Sequence, residues 1–139
     1  LQQIVQSLPA GFELKAIDQP LYRQAPVNPL CRDWCSQFAD YEQYHKHGLG
    51  FVILKEGQIV SGASSYSFYK GGVEIEIDTE EIWRGKGLAK IAGAKMVLEC
   101  LNRGLYPSWD AANQASVHIA QTLGYSFDHE YICYHVNAW

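Results

Sequence analysis

The feature that most constrains this chain is a strand that runs, through a glycine turn, into a long helix. Val73, Ile75 and Ile77 alternate with Glu74, Glu76 and Asp78, the period of a strand with one apolar and one polar face. A loop over Thr79–Trp83 leads to Arg84-Gly85-Lys86-Gly87. From about Lys86 to Arg103, Leu88, Ile91, Ala94, Leu98 and Leu101 recur at helical spacing and predict one buried stripe. Gly104 ends the helix. Such a turn aims the unpaired N–H groups of the first helical turn, and the positive end of the helix dipole, at whatever lies beyond the strand. That is an anion site, most often for phosphate, and Arg84 and Lys86 add charge beside it. It is not a P-loop, because Lys86 lacks the preceding G-x-x-x-x-G spacing and Leu88 replaces the hydroxyl residue. It is not the dinucleotide fingerprint, because Lys90 stands where the third glycine is needed. The plain alternative is a glycine-rich helix entry carrying solvated charges.

The rest of the chain supplies partners for this unit. Phe12–Ile17 alternates as a strand, and Pro20, Pro26 and Pro29 punctuate an irregular or partly helical stretch. Cys31–His45 carries Trp34, Phe38 and Tyr41 at helical spacing before Gly48. Gly50–Lys55 and Ile59–Phe68 form a hairpin about Glu56-Gly57. Tyr106–Asp110 is a short strand, and Asn113–Leu123 a second helix capped by Asn113 and stopped by Gly124. Tyr125–Phe127 and Tyr131–Val136 close the chain as strands. The order implies an α+β fold: a mixed, mostly antiparallel sheet with one βαβ crossover and helices packed on it. Residues 1–11 read as a tail or the end of another region, and 12–139 as a single domain.

Composition narrows the function classes. A chain of 139 residues that is 47% hydrophobic and 19% charged builds its own core. A net charge of −4 carries no basic nucleic-acid footprint, and no apolar run is long enough to span a membrane. Cys31, Cys35, Cys100 and Cys133 form no C-x-x-C pair. Cys31 and Cys35 with His45 and His47 do not match a metal-ligand spacing, so no metal is expected. With neither a leader nor a disulfide framework, the sequence reads as cytoplasmic.

The glycine turn does not stand alone. Arg84, Gly87 and Ala89 meet the pattern R-x-x-G-x-A. Asn113, Ser116, Ala120, Leu123, Gly124 and Tyr125 meet N-x-x-S-x-x-x-A-x-x-L-G-[FY] about thirty residues downstream. Both resemble motifs of the GNAT N-acetyltransferase superfamily, and the element order from Phe12 to Val136 is similar to its fold. Trp83–Ala89 followed by Gly104–Asp110 is most similar to the subgroup that includes the zwittermicin A resistance acetyltransferase.

The resemblance implies acetyl-CoA as co-substrate. Its pyrophosphate would sit on the backbone amides of Arg84, Gly85, Lys86, Gly87, Leu88 and Ala89. Its pantetheine arm would run beside the strand near Ile75 and Ile77, where that strand and Tyr106–Asp110 splay. Asn113 and Ser116 match positions that contact the arm or line the cleft; their plain alternatives are a helix cap and a small buried residue. Acetyl transfer to a primary amine needs a base. Glu74 is the first choice and Glu76 the second, the alternative being a solvated strand face or a grip on the substrate ammonium. Asp110 is placed to bind a cationic acceptor. The chain departs from the family at Ala120, where many members carry the Tyr that protonates the leaving thiolate; Tyr125, Tyr131 and Tyr134 are open substitutes. A non-catalytic acyl-CoA-binding or sensing module is therefore the second reading, and a GNAT-like interaction domain a third, against which the intact loop argues. The acidic strand face favours a small cationic amine. A homodimer is compatible with the sequence without being specified by it. Relatives in the resembled subgroup carry an extra N-terminal region, and this chain opens on Leu1, so the expectation is the catalytic C-terminal portion of a longer protein.

Overall fold

The computed structural model describes residues 2–30, 34–35, 38–110, 123, 125–128 and 133–136. Seven strands form one sheet: β1 (Phe12–Ala16), β2 (Gly50–Lys55), β3 (Gln58–Tyr69), β4 (Gly72–Thr79), β5 (Tyr106–Asp110), β6 (Tyr125–Asp128) and β7 (Cys133–Val136). The sheet order is β1-β2-β3-β4-β5-β7-β6. β1 to β4 are antiparallel neighbours, and β4 pairs parallel with β5 across the helix that joins them. This is the predicted α+β sheet with its βαβ crossover.

The helices are α1 (Gln2–Gln6), α2 (Gln19–Gln24), α3 (Tyr41–His47) and α4 (Leu88–Asn102), with short 3₁₀ turns at Ala25–Val27 and Glu81–Trp83. Two cores lie on the two faces of the sheet. Phe51, Ile53, Val73 and Ile75 pack against Leu88, Ile91, Ala92, Met96 and Cys100 of α4. Val52 and Leu54 pack against Leu21, Trp34, Phe38 and Tyr44 on the other side. β2 is therefore buried on both faces, which is why Phe51-Val52-Ile53-Leu54 is a continuous apolar run rather than an alternating one.

Ahead of β1, α1 forms, and Ile4 and Leu8 pack onto the α4 core. Two expectations are corrected. The aromatic segment around Trp34 and Phe38 is not part of one helix with Tyr41. Asp40, in extended conformation, accepts a hydrogen bond from the Gln43 amide at 2.9 Å and starts α3 only at Tyr41, as an N-cap does. Trp34 and Phe38 are buried from turn positions instead. The core stripe of α4 is Leu88, Ile91, Ala92, Met96 and Cys100, while Leu98 and Leu101 are only half-buried. Leu88, Ile91 and Ala94 of the expected stripe are buried, and Met96, Val97 and Cys100 take the place expected for Leu98 and Leu101.

Among the described residues, no helix is long and apolar enough to cross a membrane. No buried side-chain nitrogen or oxygen among them lacks a hydrogen-bond partner.

Candidate active site

β4 and β5 are paired from Gly72–Tyr106 to Ile75–Trp109, and there the pairing stops. β4 continues to Thr79, while Asp110 at the end of β5 pairs with Cys133 of β7. Beyond Ile75 the described pairing of β4 with β5 does not continue. Backbone direction can be followed along β4. The Gly71 carbonyl accepts from the Tyr106 amide at 2.8 Å, and the Asp78 carbonyl accepts from the Ser61 hydroxyl at 3.1 Å on the β3 side. Peptide groups alternate along a strand, so those of Ile75 and Ile77 face the β5 side, Ile77 lying beyond the last described pair.

The glycine turn lies beyond the same end of β4. Gly85 and Gly87 have φ of +85° and +79°, in the left-handed region that side chains disfavour. Among the described residues, no atom outside the adjoining residues lies within 4 Å of where a Cβ on either would stand. Gly87 is the N-cap of α4 and supplies no side-chain cap. The first helical bond is that from the Ile91 amide to the Gly87 carbonyl at 3.1 Å, so the amides of Leu88, Ala89 and Lys90 lie in the turn that has no intrahelical acceptor. The turn is pinned from behind. The Trp83 ring meets Phe12 edge-on at 5.5 Å. The Arg84 Nε–H donates to the Thr79 carbonyl at 3.1 Å, and its guanidinium lies 3.8 Å from Asp78. Arg84 thereby ties the loop to the end of β4 while its side chain stays largely exposed, and Lys86 is exposed beside it. Leu88 points its side chain into the core and presents only its amide; Ala89 is half-buried. These features fit a diphosphate: an open cradle of backbone N–H groups at a helix N-terminus.

Glu74 and Glu76 lie on the face of β4 opposite α4, each half-buried. An extra residue in β3 shifts the register, so that Ser65 faces Ile75 and Ser67 faces Glu74. The Ser67 hydroxyl donates to a Glu74 carboxylate oxygen at 3.2 Å. On the other flank Ser108 of β5 is the register partner of Glu74, and its hydroxyl is bonded to the Tyr69 hydroxyl at 2.6 Å. Glu76 pairs with Ser64, which is fully buried and bonded to the Tyr44 hydroxyl at 2.8 Å and the Trp34 carbonyl at 2.9 Å. Ser67, Tyr69 and Ser108 escaped the sequence reading. The available signal was the hydroxyl-rich run from Ser61 to Ser67 facing an acidic strand.

Of Asp110 only the backbone is described, at the end of β5. Asn113, Ser116, Ala120 and Tyr131 lie outside the described residues, as do the side chains of Tyr125 and Tyr134. Cys31, one of the four residues weighed against a metal reading, also lies outside them. Cys35 is a free, buried thiol. No group of three metal-ligating side chains occurs among the described residues.

The GNAT acetyltransferase family model matches residues 1–134. An uncharacterized N-acetyltransferase of Bacillus subtilis, YdfB, is 30% identical over 92% of this chain and 49% of its own length. The crystal structure of a GCN5-related N-acetyltransferase-like protein from Streptococcus suis superposes with a TM-score of 0.89 and 49% identity, over 96% of this chain and 52% of that one. The chain thus spans about half the length of these relatives. A GNAT family acetyltransferase from Elizabethkingia anophelis with acetyl-CoA bound shares the fold at a TM-score of 0.59 and 12% identity, over 86% of this chain and 79% of that one. The glycine turn at the head of α4, the parallel pairing of β4 with β5 across that helix and the family match over nearly the whole sequence lead to one conclusion: the chain belongs to the GNAT acetyltransferase family.

Proposed function

We propose that this chain transfers an acetyl group from acetyl-CoA to a primary amine on a small, cationic molecule, directly within a ternary complex. The observation that carries this reading is the end of β4–β5 pairing at Ile75–Trp109, with the open glycine turn of α4 beyond it. Backbone amides from Arg84 to Ala89 would hold the pyrophosphate, with Lys86 adding charge, and the peptide groups of Ile75 and Ile77 would take the pantetheine arm. Acetyl-CoA supplies the activated acetyl group as a thioester. Glu74 accepts the proton that the amine must lose before it can attack, and Glu76 is the second choice. Asp110 would attract the cationic acceptor at the end of β5. Asn113 and Ser116 remain assigned to the arm by their motif positions. The similarity of Trp83–Ala89 and Gly104–Asp110 to the subgroup of the zwittermicin A resistance acetyltransferase belongs to the same proposal, without its substrate. The negative net charge of −4 supports a cationic acceptor.

The second reading, a non-catalytic acyl-CoA-binding module, draws on Ala120, which stands where many family members carry a tyrosine. Calorimetry with CoA, followed by thiol release from acetyl-CoA against a panel of primary amines, decides between the two. Saturable CoA binding with amine-dependent thiol release supports the enzyme. Binding without acceleration by any amine leaves the module, and absence of CoA binding overturns both.

A further inference from the structure

We infer that Ser67 is a positioning residue for Glu74, delivered to it by the irregularity in β3. This rests on the reading of Glu74 as proton acceptor and goes beyond it by naming what aims the carboxylate. A regular antiparallel ladder running on from Ser65–Ile75 would set residue 66 opposite Glu74. The register shift between Ser65 and Ser67 sets Ser67 there instead, and a bulge re-aims side chains in just this way. The Ser67 hydroxyl then donates to Glu74 at 3.2 Å. A carboxylate has several acceptor positions, so the bond from serine does not by itself exhaust it. The opposite flank is fixed as well. Tyr69 lies across Gly72, where a Cβ would come within 2.5 Å of its ring, and its hydroxyl holds that of Ser108 at 2.6 Å. Glu74 therefore stands between two strands whose hydroxyls are already committed, immediately before the last pair at Ile75–Trp109. A general base gains from being held at the reaction geometry rather than from charge alone.

The test uses the full-length protein and the best acceptor from a panel comprising a polyamine, an aromatic amine, an amino sugar and a peptide N-terminus. Ser67→Ala is expected to lower kcat by about tenfold with little change in the KM for the amine or in CoA affinity. Ser67→Thr, which keeps the hydroxyl on a residue suited to a strand, is expected to recover most of that loss. In a Glu74→Gln background, Ser67→Ala should cost nothing further. Wild-type kcat in Ser67→Ala, equal losses in Ser67→Ala and Ser67→Thr, or additive losses with Glu74→Gln would each overturn the positioning role. The underlying reading fails separately, when Glu74→Gln itself keeps full kcat or no amine in the panel is acetylated.

Discussion

At the residue scale, the chemistry rests on a few positions whose neighbours give each a distinct task. Gly87 has a φ of +79° and opens α4 without a side-chain cap. Gly87→Trp would be strained there and would fill the cradle, so CoA binding by calorimetry should fall below detection; normal affinity would mean the turn is not the phosphate site. Glu74→Gln keeps the size of the side chain but cannot accept a proton. Its kcat is expected to drop by about a hundredfold or more while CoA still binds, and unchanged turnover would move the role to Glu76. Arg84 has a task that residue type does not show: its guanidinium donates to the Thr79 carbonyl and lies 3.8 Å from Asp78, while the side chain stays largely exposed beside the turn.

At the element scale, α4 and the β2–β3 hairpin show where sequence patterns hold and where packing overrides them. Periodicity placed α4 within two residues at its start, because Gly87 and the following apolar residues mark a helix head. It named Leu88, Ile91 and Ala94, which are buried, together with Leu98 and Leu101, which are half-buried, and passed over Met96, Val97 and Cys100. Met96, fully buried, therefore makes the sharper test. Met96→Ala should cost about 2–5 kcal/mol in urea unfolding, and half-buried Leu98→Ala clearly less; the reverse order would restore the sequence-based stripe. At the hairpin, Glu56 and Gly57 have φ of 53° and 80°, a turn in which both central residues are left-handed. Glu56 is exposed and gains nothing from that conformation. Glu56→Asn should stabilise the protein by roughly 0.5–1 kcal/mol, seen as a higher melting temperature; a lower one would indicate an unrecognised role for the glutamate.

At the scale of the whole molecule, two cores on either side of one sheet set the response to alkali. Burial pushes the Cys35 thiol up to about 11 and the Cys100 thiol up to about 12, from an ordinary value of 9.0. Tyr44, buried in the same core as Cys35, is also raised. The unfolded chain ionises these groups first, so between the two sets of values it binds fewer protons than the folded one. Their contribution to stability is thus complete below about pH 9 and fades as pH rises through about 11 to 12. Urea unfolding should show this decline, and native Cys35 and Cys100 should resist alkylation near neutrality; a stability constant up to about pH 11 would contradict the buried placement of both thiols. What the sequence determined by itself were properties written in local periodicity and turn chemistry: the alternating strand Val73–Asp78, the glycine turn, the helix that follows and the family motifs around them. Their signals lie within neighbouring residues. Only the tertiary structure decided what depends on residues far apart in the chain. It brought Ser67 to Glu74, tied Arg84 to β4, laid Tyr69 across Gly72 to Ser108, and ended the β4–β5 ladder at Ile75 and Trp109. Strand register is set by pairing across the sheet, and no local pattern in the sequence encodes it.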